Sequence, residues 1–214
     1  MIEVEDVSYL VDGVTVLDGV SLRVDRGESL ALVGPSGSGK SSFIAIMSGL
    51  VAPAGGAVRF DGEDIARLSG AALRRRTGVV FQGYALLSLL TAAENVELAQ
   101  QARGAPGDAV AGEAARALAA VGLAERADHL VEELSGGEQQ RVAVARALVG
   151  EPLVVLADEP TAELDEANRA AITTQLLGVA LSGRTLVLAT HDPEVAALCT
   201  RTVRLVSGRV VGTT

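Results

Sequence analysis

A short apolar run, Ser29-Leu-Ala-Leu-Val33, passes directly into Gly34-Pro-Ser-Gly-Ser-Gly39-Lys40-Ser41 and then into a segment of helical character over 40–48. Three glycines between a strand and a helix suit one arrangement above others: a loop whose backbone N–H groups curl around an anion at a helix N-terminus, where the helix dipole adds to the attraction. The candidate binding residues are therefore Gly34, Pro35, Ser36, Gly37, Ser38, Gly39, Lys40, Ser41 and Ser42. In that setting Lys40 reaches β- and γ-phosphate oxygens and the Ser41 hydroxyl ligates Mg²⁺, which points to a nucleoside triphosphate but to no particular enzyme. Lys40 is also the only lysine in a chain whose other basic residues are all arginine. A glycine- and serine-rich turn with a chance lysine would not need both flanks to be right.

Composition sets the bounds around this loop. With 214 residues, 49% of them hydrophobic, the chain fits one large domain or at most two small ones and can bury a substantial core, which excludes intrinsic disorder. Eighteen basic residues against 27 acidic ones give −9, and aromatics make up 2% with no Trp, so neither a basic nucleic-acid face nor a base-stacking platform is expected. The single cysteine, Cys199, cannot form an intrachain disulfide, and the start lacks signal-peptide organisation; both suggest a reducing, intracellular setting. The longest uncharged stretch, 41–58, contains Gly49, Pro53, Gly55 and Gly56, a poor composition for a membrane span.

Apolar runs at 29–33, 78–81, 153–157 and 185–190 are each followed by a loop signal and then by helical material. That alternation predicts an α/β core with a mainly parallel sheet. Residues 2–7 and 20–24 alternate apolar and polar as half-exposed antiparallel strands do, and 203–206 with 209–211 read as a hairpin around Ser207-Gly208. The Ala-rich segment 109–121 reads as a helix ended by Gly122.

Two further segments carry chemistry. Leu153-Val-Val-Leu-Ala157-Asp158-Glu159 is a buried strand that delivers adjacent carboxylates; because strand neighbours face opposite ways, different tasks are expected for them, Asp158 toward Mg²⁺ and Glu159 toward an attacking water. An acidic helix start before Pro160 is the plainer alternative. In Leu134-Ser135-Gly136-Gly137-Glu138-Gln139-Gln140-Arg141, Ser135 and Glu138 have capping-box spacing for a helix running to about Val149. The box leaves Gly136 and Gly137 unexplained, since glycine in a helix costs up to about 1 kcal/mol against alanine. A ligand phosphate approaching their N–H groups would account for both.

The phosphate loop, Gln82 after the strand Gly78-Val-Val-Phe81, the LSGGE run, the Asp158-Glu159 pair, the loop Ala162-Glu-Leu-Asp165 and His191 occur in the order found in the ATP-binding cassette (ABC) family. The chain resembles that family over essentially its whole length. Leu90-Thr91-Ala-Ala-Glu94-Asn95-Val96 and Leu156-Ala-Asp158-Glu-Pro160-Thr are similar to its lipoprotein-release, macrolide-export and cell-division branch. The resemblance implies a P-loop NTPase (RecA-like) α/β core, an N-terminal antiparallel β subdomain and a helical subdomain inserted at about 83–150, together one ABC ATPase domain over 1–214. It implies ATP and Mg²⁺ as ligands, with Ser41, Gln82 and Asp158 at the metal, and Lys40, Gln82, Glu159 and His191 at the reacting phosphate. Ser135 and Gly137 are expected to close the site of a second subunit, making a homodimer, with Gly136, Glu138 and Asp165 also among the nucleotide-binding residues.

A transmembrane permease is the further partner implied, with nucleic acid excluded, and the expected location is cytoplasmic, peripheral on the inner face of the cell membrane. The helical insertion is the expected docking surface and Tyr84-Ala-Leu-Leu-Ser-Leu-Leu90 its apolar rim. Export, as of lipoproteins or macrolides, is the function implied; a regulatory cassette of a cell-envelope or cell-division complex is the alternative, and a DNA-repair ATPase fits poorly with the acidity. Two positions depart from the family pattern. Val11 stands where an aromatic stacks on adenine, with Tyr9 two residues earlier as a substitute, so the base contact rests on one or the other. Ala162-Glu163 replaces the Gly-Asn common in this branch.

Because phosphate and Mg²⁺ contacts dominate the identifiable binding residues, base selectivity should be weak. GTP should compete with ATP within about tenfold, or about 1.4 kcal/mol, in a competition-binding measurement; a preference of several orders of magnitude would reveal an unseen base contact.

Overall fold

The computed structural model describes residues 1–162 and 164–214. In chain order its elements are β1 (Ile2–Val11), β2 (Val14–Val24), β3 (Ser29–Val33), α1 (Lys40–Met47), β4 (Gly55–Phe60), β5 (Glu63–Asp64), α2 (Gly70–Arg76), β6 (Thr77–Val80), α3 (Ala92–Arg103) and α4 (Gly107–Ala120). There follow α5 (Gly136–Leu148), β7 (Val154–Asp158), α6 (Glu166–Leu181), β8 (Thr185–Ala189), α7 (Pro193–Ala197), β9 (Arg201–Val206) and β10 (Arg209–Thr213).

The larger sheet has the order β10-β9-β3-β8-β7-β6, parallel throughout except for the antiparallel β9–β10 hairpin. A smaller antiparallel sheet, β2-β1-β4-β5, is built mostly from the N-terminal residues. The α/β class, the mainly parallel core and the antiparallel N-terminal sheet are thus as the sequence pattern indicates.

Continuous apolar runs in β7 and β8 follow from burial on both faces. Val155 and Ala157 of β7, with Leu186 and Leu188 of β8, face one core that also takes Val96 of α3, Leu118 of α4, Val142 of α5 and Ile172 of α6. The alternate residues Val154, Leu156, Val187 and Ala189 face a second core, shared with Phe43 and Met47 of α1 and with Ile2, Val20 and Phe60 of the antiparallel sheet. Fully burying a side chain such as Leu156 contributes about 1.5–3 kcal/mol. The segment between β6 and β7 holds α3, α4 and α5 and, among the described residues, no strand.

The N-terminal strands are much longer than their alternation indicates. Asp6, with φ 46°, interrupts the pairing of β1, so the inward positions shift from Val4 to Val7 and the period of two breaks. Asp12 and Gly13, at φ 49° and 78°, form the two-residue turn that joins β1 to β2.

Arg103, at the end of α3, is 8% exposed and, among the described residues, has no carboxylate partner. Its guanidinium donates instead to four backbone carbonyls: Arg74 at 2.9 Å, Ala147 at 3.1 Å, Thr77 at 3.2 Å, and Val149. Burial pushes its pKa down to about 10, still far above neutrality. One side chain therefore fastens α2, β6, α3 and the end of α5 together. Arg103→Met keeps the length but strands those carbonyls, and should cost about 3 kcal/mol, lowering the melting temperature by about 6–12 °C in a calorimetric scan.

Candidate functional site

Residues 34–39 lie just beyond the carboxyl end of β3, and Gly39 is the N-cap of α1. Gly39 sits at φ 102°, where a Cβ would come within 2.8 Å of Leu17 Cδ2 and 2.9 Å of the Val16 carbonyl, so the turn is closed to any other residue. Lys40 is 7% exposed; its Nζ donates to Gly34 O at 2.9 Å and Pro35 O at 3.3 Å, folding the loop around the ammonium. The loop walls an open cleft of about 540 Å³ together with Val16, Gln82, Glu159, Ala162 and His191. Strand order explains the gathering: β3, β8, β7 and β6 are consecutive neighbours, so the loops leaving their carboxyl ends stand side by side.

Asp158 is the last residue of β7 and Glu159 the first beyond it. Glu159 leaves the strand at φ 47°, a conformation costing about 1–3 kcal/mol for a non-glycine residue, so its direction is set by this turn rather than by strand alternation. Its N–H donates to Ala189 O at 2.9 Å, which pins the turn to β8. Glu159 Oε2 accepts from the His191 backbone N–H at 3.3 Å and lies 2.9 Å from His191 Nδ1, an arrangement that suits the tautomer with its hydrogen on Nδ1. Oε1 lies 3.9 Å from Lys40 Nζ. His191 itself is 66% exposed, so it can move toward the cleft without breaking a packed core.

Asp158 is 7% exposed, with the Ser41 hydroxyl beside it. Its Oδ1 is buried with no partner among the described residues. Burial raises the carboxyl above the ordinary aspartate range, the Ser41 hydrogen bond and Lys40 pull it down, and Glu159 pushes it up. A hydroxyl, an amide side chain and a carboxylate with an unsatisfied oxygen are hard oxygen donors, the set that suits Mg²⁺. The residues fit the ion.

Ser135 caps α5 in a complete capping box: Ser135 N–H and Oγ both donate to Glu138 Oε2, at 2.9 and 2.7 Å, and Glu138 N–H donates to Ser135 Oγ at 3.3 Å. The Ser135 hydrogen bonds, the hydroxyl first, hold the Glu138 carboxyl below its ordinary value, with Arg126 3.3 Å away assisting. None of Ser135, Gly136, Gly137 or Glu138 walls the cleft of their own chain. Asp165 caps α6 and also lies outside that wall. Gly137 gains a reason that its neighbourhood in sequence did not supply: a Cβ there would lie 2.8 Å from Asn168 Nδ2.

Tyr9 is half-buried against the second core and Val11 is exposed near the hairpin tip, and neither walls the cleft. Val16 on β2 does, a residue whose role needs the hairpin register to be known. Glu163, half of the Ala162-Glu163 departure, lies outside the described residues. Two arginines of the helical segment were also invisible to motif reading: besides Arg103, Arg146 of α5 donates to the carbonyls of Tyr84, at 2.7 Å, and Ala85. Tyr84 and Ala85 follow Gln82 in left-handed conformation, at φ 64° and 50°, so Arg146 grips the bend that leads from the cleft toward the apolar rim.

Comparison with known proteins adds the family. A family profile described as ABC transporter matches residues 17–162. The lipoprotein-releasing system ATP-binding protein LolD of Geobacter metallireducens is 48% identical over 203 residues, 92% of this chain and 90% of that protein. The macrolide export ATP-binding/permease protein MacB 1/2 of Paracoccus denitrificans is 46% identical over 200 residues, 92% of this chain but 30% of that protein, so the chain spans about a third of the length of such relatives. Among solved structures, the ATP-binding cassette MJ0796, a dimer in a post-hydrolysis state bound to ADP and Pi, superposes with TM-score 0.92 at 35% identity, covering 100% of this chain and 98% of that one.

The raised Asp158 carboxyl has a consequence for stability. A folded-state value above the unfolded one means that ionisation opposes folding, fully so above the raised value, and that the opposition fades as pH falls through it. Nucleotide-free Asp158→Asn should therefore melt above the wild type at mildly alkaline pH, the gap closing on acidification. The same variant should lose the extra thermal stabilisation that Mg²⁺ adds to ATP.

Proposed function

The chain belongs to the ABC transporter family of ATP-binding proteins, and from that premise we propose that two copies of it enclose ATP between the phosphate loop of one and the Ser135–Glu138 turn of the other. It is an ATPase, converting ATP and water to ADP and phosphate. The observation that carries the reading is the convergence of Lys40, Glu159 and His191 on the mouth of one phosphate-loop cleft, 3.9 and 2.9 Å apart through the two oxygens of Glu159.

In this reading Lys40 turns its ammonium from the Gly34 and Pro35 carbonyls to the β- and γ-phosphates, and the backbone N–H groups of 37–41 cradle them. Ser41, Gln82 and Asp158 would hold Mg²⁺, which when bound would neutralise phosphate charge and polarise the phosphoryl oxygen. Glu159 takes the proton of the attacking water at Oε1, while His191 holds Oε2 and so fixes the carboxylate plane. His191 also reaches the γ-phosphate. Adenine meets the β1–β2 hairpin, with Tyr9, Val11 or the wall residue Val16 as the contact. Ser135, Gly136 and Gly137, standing away from their own cleft, present the start of α5 to the other copy's γ-phosphate, with Asp165 near the same junction.

The work goes to a membrane protein. No helix among the described residues is long and apolar enough to cross a membrane. A groove of about 300 Å³, lined by Leu50, Leu73, Phe81 and Ala102 together with Arg74 and Arg146, opens between the core and residues 83–150, which we read as a helical subdomain of one ABC ATPase domain. Beside it, Leu87 and Leu89 are 51% and 81% exposed. Asn95, buried under this bend, bonds Leu87 N–H and the carbonyls of Leu87, Leu90 and Thr91, so the apolar rim is held in shape. A permease segment docks there, which places the protein peripherally on the cytoplasmic face of a cell membrane, and the likeness to LolD and MacB favours lipoprotein or macrolide-type extrusion.

Glu159→Gln keeps shape but cannot accept the proton, so with ATP and Mg²⁺ it should elute as a dimer on size exclusion. Adding Ser135→Arg to that chain should return it to monomer, and Lys40→Ala should lose both nucleotide binding and turnover. A Glu159→Gln protein that hydrolyses ATP normally, or a dimer indifferent to Ser135→Arg, would sink the two-copy mechanism.

A further inference from the structure

We propose that Asn168 is a positioning residue that sets the Ser135–Glu138 turn against the loop carrying Glu159. The inference rests on the two-copy reading, in which that turn acts on the partner's nucleotide. Asn168 lies in the first turn of α6, three residues after the cap Asp165. Its backbone N–H donates to Asp165 Oδ1 at 2.9 Å, an ordinary capping bond. Its side chain does more. Oδ1 accepts from Arg141 at 2.5 Å and Nδ2 donates to Asp165 Oδ2 at 2.8 Å. The amide is fixed in one orientation, since the reverse would set its NH₂ against a guanidinium and its oxygen against a carboxylate.

Arg141 stands one helical turn after Gly137 on α5, on the same face. The Asn168 amide occupies the space that a Cβ at 137 would need, with Nδ2 at 2.8 Å and Cγ at 3.0 Å. The residue before Arg141 reaches the other end of the same segment: Gln140 Nε2 donates to Pro160 O, next to Glu159, at 2.6 Å. Two consecutive side chains of α5 thus grip the chain on both sides of 160–165, one directly and one through Asn168. The next residue of α6, Arg169, lies 3.6 Å from Asp192, the neighbour of His191. Any displacement of the loop after Glu159 is carried through Asn168 to Gly137, whereas a helix cap alone requires neither the Arg141 bond nor the fit against Gly137.

Steady-state ATP turnover by the full chain tests this with Asn168→Ala, Arg141→Met and the double variant. Asn168 does not line the cleft, so its loss should lower kcat about tenfold through misplacement of the turn while KM for ATP stays within about twofold. The melting temperature should hold within a few degrees. Since both residues act through one link, the double variant should fall no further than Asn168→Ala, within about twofold. Unchanged kcat, multiplicative losses in the double variant, or a loss shared with KM or with melting would overturn the assignment. Failure of the underlying reading shows separately: Glu159→Gln would then stay monomeric with ATP and Mg²⁺, in a chain where Asn168 is intact.

Discussion

A parallel sheet buried on both faces confines polar chemistry to its edge. In this chain β7 commits its first four residues, and β8 its last four, to one or other of two apolar cores, so charge first appears at the carboxyl end, with Asp158, and just past it. Because β3, β8, β7 and β6 are neighbours, one edge collects a cation, two carboxylates, an amide and an imidazole from four distant parts of the sequence. The same sheet holds them still. Glu159 keeps a left-handed backbone because its N–H is locked to β8, and Lys40 keeps its place because the loop it binds is its own.

Charge is handled differently on the two sides of the molecule. At the cleft, Lys40 and Asp158 are nearly inaccessible, and burial works against the Asp158 charge. That cost is what a bound cation would offset, so the empty oxygen of Asp158 reads as binding capacity held in reserve. In the helical segment, Arg103 and Arg146 are also largely buried, yet their partners are carbonyl dipoles rather than carboxylates. Both guanidinium groups have lowered pKa values through burial and both remain charged at neutral pH, so they hold backbone without creating an ion pair that a change of pH could break.

Much of this was legible in the sequence because local signals and tertiary position coincide. The glycines before Lys40, the apolar runs of β7 and β8 and the Ser135-x-x-Glu138 spacing each specify a conformation within a few residues, and each is found in place. The misses share a cause. The length of β1 and β2 was hidden by the bulge at Asp6, which shifts the inward-facing positions by one. The left-handed turn at Glu159 was hidden because β7 ends at Asp158, one residue before the apolar pattern would show it. Val16, Asn168, Arg103 and Arg146 act through contacts with residues far away in the chain, and no periodicity announces such a partner. Asn168 in particular looks in sequence like a polar residue in the first turn of a helix, which it also is.

Among the described residues, the hydrogen bonds of Arg103 all go to main-chain oxygens. A joint of that kind is indifferent to which side chains the neighbouring elements carry. What the guanidinium reads is the backbone path through 74, 77, 147 and 149, not the side chains those residues carry. Exposed side chains around the groove take no part in the joint, so their chemistry can differ without loosening the attachment between helical segment and sheet. The chemistry of the groove's rim and the anchoring of the backbone beneath it are thus set by different residues.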